Sequence, residues 1–229
     1  MSVSRRNALA ALLLTAPVPT LAVLLAVFVL PGPVGRGFWI AGKILFYGLP
    51  VFWLLAVDRE RLSLSPMRRG GLLFGWLTGM LISVAIVGVY VLLPDGWIDS
   101  EGLRKVAETN GFATPIAFLG ISAWVVFVNA LMEEYAYRWF IFTRCRALMP
   151  ALSAVLLSAA IFVSHHTLLL EGFGISRTIN ALASGGIFVG GVAWSWCYHR
   201  YGSIWPGFVS HAIVDVAVLA IGWLLLFDS

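Results

Sequence analysis

Long apolar segments are the feature that most limits what this chain can fold into. They recur along the sequence at lengths of about 20 residues or more, and a helix of that length crosses the ~30 Å hydrocarbon layer of a bilayer. Of the 229 residues, 60% are apolar and 11% are charged, and the mean hydropathy is +0.93. A soluble domain of this size needs more polar surface. Because a backbone in lipid must satisfy its own hydrogen bonds, and the sequence lacks barrel-type alternation, we predict an all-α, polytopic membrane protein.

About seven segments are predicted to span the membrane and to form a bundle around a buried polar cavity. They are 8–30, 38–57, 71–93, a segment from 113 to the arginines at 144 and 146, 151–170, 178–198 and 204–227. The stretch 95–111 is the least hydrophobic and is predicted to be an interfacial or solvent-side helix. Two arginines before the first segment are also typical of a cleaved signal, but its apolar run is long and we favour a retained span. Gly75 and Gly79 predict a close-packing face on the third span.

Basic residues predict the orientation in the membrane, because cytoplasmic loops are enriched in Lys and Arg. Alternate loops carry nine arginines on one side and four or five basic residues on the other. The larger group is Arg5, Arg6, Arg59, Arg61, Arg68, Arg69, Arg144, Arg146 and Arg200. We therefore expect a multi-pass protein of the cell membrane with a cytoplasmic N-terminus. The net charge of +4 is not interpreted as a sign of nucleic-acid binding. Lys43, just inside the second span, is expected to snorkel towards the near interface.

Two adjacent glutamates interrupt the fourth apolar segment. Each ionisable group costs on the order of 2.5–3.5 kcal/mol at mid-membrane, so such residues usually face the interior of a bundle and have a function. Glu134 and Arg138 are four residues apart, share a helical face and can neutralise each other, although such a pair is as often structural as catalytic. Glu133 is rotated about 100° from Glu134 and has no such partner in the local sequence. It therefore needs a partner elsewhere in the chain.

Two later segments carry histidines that could meet Glu133. Phe162 and His166 in the fifth span are four residues apart and share a helical face, as do His211 and Asp215 in the seventh. Depths estimated from the helical rise place Glu133, His166 and His211 at comparable levels, within the error of helix tilt and boundaries. We therefore expect these three side chains to converge on one cavity.

The remaining polar residues of the apolar segments have simpler interpretations. A lone histidine in a span is usually a hydrogen-bonded contact between helices, which is how we interpret His165 and His199. Cys145 and Cys197 do not have the spacing of metal ligands and are interpreted as free thiols.

Taken together, the motifs resemble the three signatures of the CPBP (Abi-like) family of intramembrane proteases. The residues that carry the resemblance are Glu133-Glu134-x-x-x-Arg138, Phe162-x-x-x-His166, His211-x-x-x-Asp215, Gly190-Gly191 and the stretch 201–206. The family comprises CAAX proteases and bacteriocin-processing enzymes and is related to the Ras-converting CAAX endopeptidase. The resemblance covers about residues 113–220. We therefore divide the chain into N-terminal helices with an interfacial segment, residues 1–112, and a CPBP-type catalytic core, residues 113–229.

The resemblance implies that a glutamate hydrolyses a peptide bond within the membrane. Glu133 and His166 would hold a water and deprotonate it, with Glu133 as general base. His211 and Asp215 would stabilise the oxyanion of the tetrahedral intermediate. Because an ionised carboxylate cannot donate a hydrogen bond, Asp215 would either orient the His211 ring or be protonated. The residues that would support the site are Glu134, Arg138 and Phe162.

We expect no cofactor, but zinc remains an alternative. Glu133, His166 and His211 are an adequate zinc ligand set, yet the sequence has no His-Glu-x-x-His motif. The expected partners are the lipid bilayer and a membrane-associated peptide or protein substrate, with a CAAX tail, a leader or a sorting tail as candidates. The oligomeric state is left open.

Two other function classes are weighed against the protease. A non-proteolytic regulator or bacteriocin-immunity partner is one, although the intact motifs argue against it. A proton-coupled transporter is the less favoured, because such proteins usually have duplicated halves and no internal repeat is visible in this chain.

Overall fold

The computed structural model describes residues 4–30, 32–61, 65, 67, 70–94 and 96–228. Within these ranges the chain forms eight helices and no strand, which confirms the predicted all-α class. The helices are α1 (Arg5–Val29), α2 (Pro33–Asp58), α3 (Leu72–Leu92), α4 (Ser100–Asn110), α5 (Pro115–Leu148), α6 (Ala151–Gly172), α7 (Arg177–Tyr201) and α8 (Trp205–Asp228). Arg68 and Arg69, which enter the predicted orientation, lie outside the described residues.

Six helices, α1, α2, α3, α5, α6 and α8, are long and apolar enough to cross a membrane. Large apolar side chains point outwards from them; Leu73, Leu81 and Val91 are 70%, 71% and 71% exposed. An apolar surface of this extent is favourable in contact with lipid and unfavourable in contact with water. The chain is thus an integral, multi-pass membrane protein. The predicted count of seven spans is not confirmed, because α7 has 25 residues but carries several glycines and polar residues among its apolar ones.

Helices α2 and α5 run side by side in the same direction. Lys43 Nζ donates a hydrogen bond to Asn129 Oδ1 at 2.9 Å, and further along Arg144 forms an ion pair with Asp58. Both pairs are separated by 86 residues, so the two helices keep one register over this length. Lys43, which was predicted to snorkel towards the interface, thus has Asn129 as a partner for its ammonium group between the two helices.

Helices α3 and α8 pack closely through the predicted glycine face. A Cβ atom at Gly75 would collide with the Pro206 backbone, and one at Gly79 would lie 2.9 Å from Ser210 Cα. Only residues without a side chain permit this approach, which confirms the predicted role of the two glycines. The contact fixes the first turns of α8, which lead directly to His211.

Helix α5 is 34 residues long and widens where it carries the glutamates. From Glu134 to Phe142 it is π-helical, with backbone hydrogen bonds from residue i to residue i+5, and a shorter π-helical stretch covers Val125–Asn129. Such wide turns are uncommon and occur frequently at functional sites. The wider turns change the direction in which the α5 side chains point, while the helix stays continuous.

The predicted interfacial helix is present as α4 and lies against the end of α8. Asp99 caps its N-terminus by accepting a hydrogen bond from the Gly102 amide at 2.9 Å. Arg104 Nη2 donates to the Leu226 carbonyl oxygen at 2.7 Å, which ties α4 to the last turn of α8.

Candidate active site

A polar cluster lies among α5, α6 and α8, enclosed by apolar and aromatic side chains. The structure brings together all the predicted site residues, namely Glu133, Glu134, Arg138, Phe162, His166, His211 and Asp215. Glu134 and Arg138 are fully buried, and Glu133 and His211 are 6% and 4% exposed. Buried charges at this density require partners, and the geometry shows which residues provide them.

The Nε2 atom of His211 lies between two carboxylates. It is 3.8 Å from Glu133 Oε2 and 3.7 Å from Asp215 Oδ1. Both distances are too long for a direct hydrogen bond, but one water or one substrate oxygen can bridge them. No described residue forms a hydrogen bond with Asp215 Oδ2. The polar atoms of Glu133, His211 and Asp215 therefore face one another without direct hydrogen bonds, across a space that we term the gap.

The His211 ring is fixed by Glu134 and Trp194. Its Nδ1 atom lies 3.1 Å from Glu134 Oε1, and the indole of Trp194 stacks on the imidazole with centroids 3.9 Å apart at an angle of 16°. Trp194 Nε1 in turn donates to Ser210 Oγ at 3.0 Å. Glu134 thus orients the His211 ring, which was one of the two roles weighed for Asp215.

Glu134 forms the predicted ion pair with Arg138, at 3.2 Å between Oε1 and Nη1. The guanidinium hydrogens are not directed at any described acceptor, so the contact is an ion pair rather than a hydrogen bond. The guanidinium carbon lies 4.5 Å from the Phe162 ring centroid and 5.1 Å from that of Trp194, which adds cation–π attraction. Gly207 leaves the space for this arrangement, because a Cβ there would collide with Glu134 Oε2.

Both histidines of α6 approach Glu133. One nitrogen of His165, one nitrogen of His166 and one carboxylate oxygen of Glu133 all lie within 4.8 Å of one another. His166 Nδ1 lies 2.9 Å from the Phe162 carbonyl oxygen; since a carbonyl only accepts, Nδ1 carries the proton and Nε2 of the neutral ring has the lone pair. His165 Nδ1 lies 3.1 Å from the Tyr137 hydroxyl, which confirms the predicted interhelical hydrogen bond.

Glu133, His165 and His166 are also the described residues whose spacing could hold a metal ion. One carboxylate and two imidazoles match the ligand preferences of zinc, and their Nδ1 contacts fix both rings. The set differs from the one weighed in the sequence, since His165 takes the place of His211. The Nδ1 atom of His211 lies 3.1 Å from Glu134, and its Nε2 atom is 3.8 Å from Glu133.

On the metal-free hypothesis, cleavage of a membrane peptide by the purified protein is expected to survive strong chelators. The reason is that Glu133 must be free to take a proton from water, which a carboxylate bound to a metal cannot do readily. The measurement is cleavage of a membrane peptide in detergent with and without EDTA or phenanthroline. Loss of activity that added zinc restores would contradict a metal-free site and make Glu133, His165 and His166 ligands.

Sequence motifs did not identify Tyr137 or Trp194 as part of the site. Tyr137 lies four residues after Glu133, so the helical repeat carried a signal that could have found it. Trp194 had no such signal, because its stacking on His211 depends on the packing of α7 against α8.

Comparison with known proteins finds a family that this part of the chain is similar to. Residues 115–217 match the family model described as type II CAAX prenyl endopeptidase Rce1-like. The match contains every predicted site residue and confirms the resemblance to CAAX proteases for this segment. At a coarse level it supports a membrane-embedded protease. No curated protein and no solved structure matches the chain.

Proposed function

We propose that this Rce1-like membrane protein is a glutamate-dependent endopeptidase that hydrolyses a peptide bond within or near the membrane. The observation that carries the proposal is the position of the Glu133 carboxylate. It lies within 4.8 Å of the α6 imidazoles on one side and 3.8 Å from His211 Nε2 on the other. A base, a second polar group for water and a donor for an oxyanion thus lie close together in one buried cluster.

The first step is the activation of water. A water between Glu133 and His166 donates one hydrogen to the Glu133 carboxylate and the other to His166 Nε2. Its lone pair then points away from both, towards a substrate carbonyl in the gap. As the new carbon–oxygen bond forms, Glu133 takes the proton, so no free hydroxide is needed.

The second step needs a donor for the developing oxyanion. With Glu134 accepting from Nδ1–H of His211, a protonated ring presents Nε2–H to the gap. Asp215 lies 3.7 Å from Nε2 and supports the positive charge of that ring. When the carbon–nitrogen bond breaks, Glu133 returns its proton to the leaving amine. The products are a carboxylic acid and an amine, and the acid then ionises.

The substrate class follows from the setting of the site. A gap buried within the bundle is reached by a peptide that is anchored in, or adjacent to, the bilayer. CAAX-type tails, leaders and sorting tails all meet that condition, and the description of the matched family favours a CAAX-type C-terminus. We further propose that the protein resides in the cell membrane with its N-terminus in the cytoplasm, as the arginine distribution predicts.

Substitution of His166 and His165 one at a time tests the proposal. His166→Ala is expected to reduce turnover by roughly 10²-fold or more, because the nucleophilic water loses one of its two contacts. His165→Ala removes a hydrogen bond to Tyr137 and is expected to leave measurable cleavage. The measurement is release of the C-terminal fragment of a membrane peptide in proteoliposomes. Full activity in His166→Ala combined with none in His165→Ala would show that the two roles are reversed.

A further inference from the structure

Lys43 is a cation inside the bundle that the proposed chemistry does not use. Its Nζ atom donates to Asn129 Oδ1 at 2.9 Å and lies 5.1 Å and 5.5 Å from the ring centroids of Trp124 and Trp39. Among the described residues, no carboxylate lies close enough to form an ion pair with it. An amide oxygen and two indole faces hold an ammonium group in place without neutralising its charge.

The register of α2 and α5 places this cation next to the site. Lys43 and Asn129 are 86 residues apart in the sequence, and Tyr47 and Glu133 are the same number of residues apart. Tyr47 is therefore level with Glu133, and Lys43 lies one helical turn, about 6 Å, further towards the start of both helices.

A charge within a membrane span usually has a functional partner, and an anionic ligand suits this one. An extended peptide rises about 3.3 Å per residue, so two or three residues beyond a scissile bond at Glu133 reach about 7–10 Å. That reach covers the offset of one turn, about 6 Å, between the levels of Glu133 and Lys43. A free carboxylate at such a depth is costly to bury without a cation.

We propose that Lys43 binds the C-terminal α-carboxylate of the substrate and so selects peptides that end two or three residues after the cleaved bond. This inference rests on the proposed function. Lys43 acts here as a specificity residue: Asn129 and the indoles of Trp39 and Trp124 hold the ammonium group, and the substrate supplies the anion. The charge pair forms only when the chain end is in place, which positions the scissile carbonyl beside Glu133.

The test compares two peptides that differ only at the C-terminus. Both are prenylated and have a CAAX-type sequence, and one ends in a carboxylate while the other ends in a carboxamide. Wild-type protein in proteoliposomes is expected to cleave the carboxylate form with a kcat/KM that is roughly 10-fold higher or more, mostly through KM. Equal kcat/KM values for the two peptides would overturn the inference without any variant being needed.

Variants then assign the preference to Lys43. Lys43→Met is expected to remove the discrimination by weakening cleavage of the carboxylate peptide alone, and Lys43→Arg is expected to retain it. Lys105→Met is the matched control, because Lys105 is the other lysine of the chain and lies exposed on α4. If Lys43→Met instead lowers kcat equally for both peptides, Lys43 acts on Glu133 and the inference is wrong. If wild-type protein cleaves neither peptide, the proposed function fails and this inference fails with it.

Discussion

Glu133→Gln is expected to abolish turnover while the protein still inserts and folds. Glutamine preserves the volume of the side chain and most of its hydrogen bonding, but its amide cannot take a proton from water. Proton transfer by a positioned side chain contributes typically 10²–10⁴-fold to a rate, and the loss should be at least that large because Glu133 also positions the water. The measurement is initial cleavage rate at matched amounts of folded wild-type and variant protein.

The stability of the Glu133→Gln variant decides how the result is interpreted. Glu133 has no ion pair with Arg138; its nearest charged neighbour in the cluster is His211, at 3.8 Å. Membrane accumulation and thermal unfolding should therefore stay close to wild type. A stable and inactive variant supports a catalytic role. Retention of full biological function by this variant would instead favour the non-proteolytic regulator.

Glu134→Gln is expected to have its largest effect on stability. The substitution leaves the guanidinium of Arg138 fully buried without a counter-charge, and breaking a buried pair in this way typically costs about 3–5 kcal/mol. The glutamine Oε1 can still accept from His211 Nδ1, so part of the activity should survive in the fraction that folds. The measurements are the unfolding temperature in detergent and the amount of protein in the membrane fraction.

The chain contains a matched control for that experiment. Glu101 and Lys105 on α4 have the same spacing of four residues and an oxygen–nitrogen distance of 3.0 Å, but both side chains are more than 70% exposed. Because solvent screens such a pair, Glu101→Gln should leave the unfolding temperature unchanged. Equal behaviour of the two variants would show that burial of the Glu134–Arg138 pair contributes nothing to stability.

Helical periodicity accounts for most of what could be predicted from sequence. Positions four residues apart share a face, so the pairing of Glu134 with Arg138 was predictable, as was the close packing of α3 through Gly75 and Gly79. The convergence of Glu133 with His211 could be inferred because three motifs at similar depth fit one cavity. These inferences depend only on spacing along single helices and on the cost of charges in lipid.

What was mispredicted or missed depends on contacts between helices. The contact of Lys43 with Asn129 could not be predicted, since nothing in the segment of Lys43 shows that Asn129 lies beside it. His165 was interpreted only as a contact between helices, but both histidines of α6 come within reach of the Glu133 carboxylate. The stacking of Trp194 on His211 required the packing of α7 against α8.

The most direct test of peptide hydrolysis by Glu133 is mass spectrometry of products formed in ¹⁸O-labelled water. Purified protein in proteoliposomes is incubated with a prenylated CAAX-type peptide. We predict one cut position and one ¹⁸O atom in the new carboxylate, with neither product formed by Glu133→Gln. Absence of any cut by folded wild-type protein, or the same labelled products from Glu133→Gln, would contradict this.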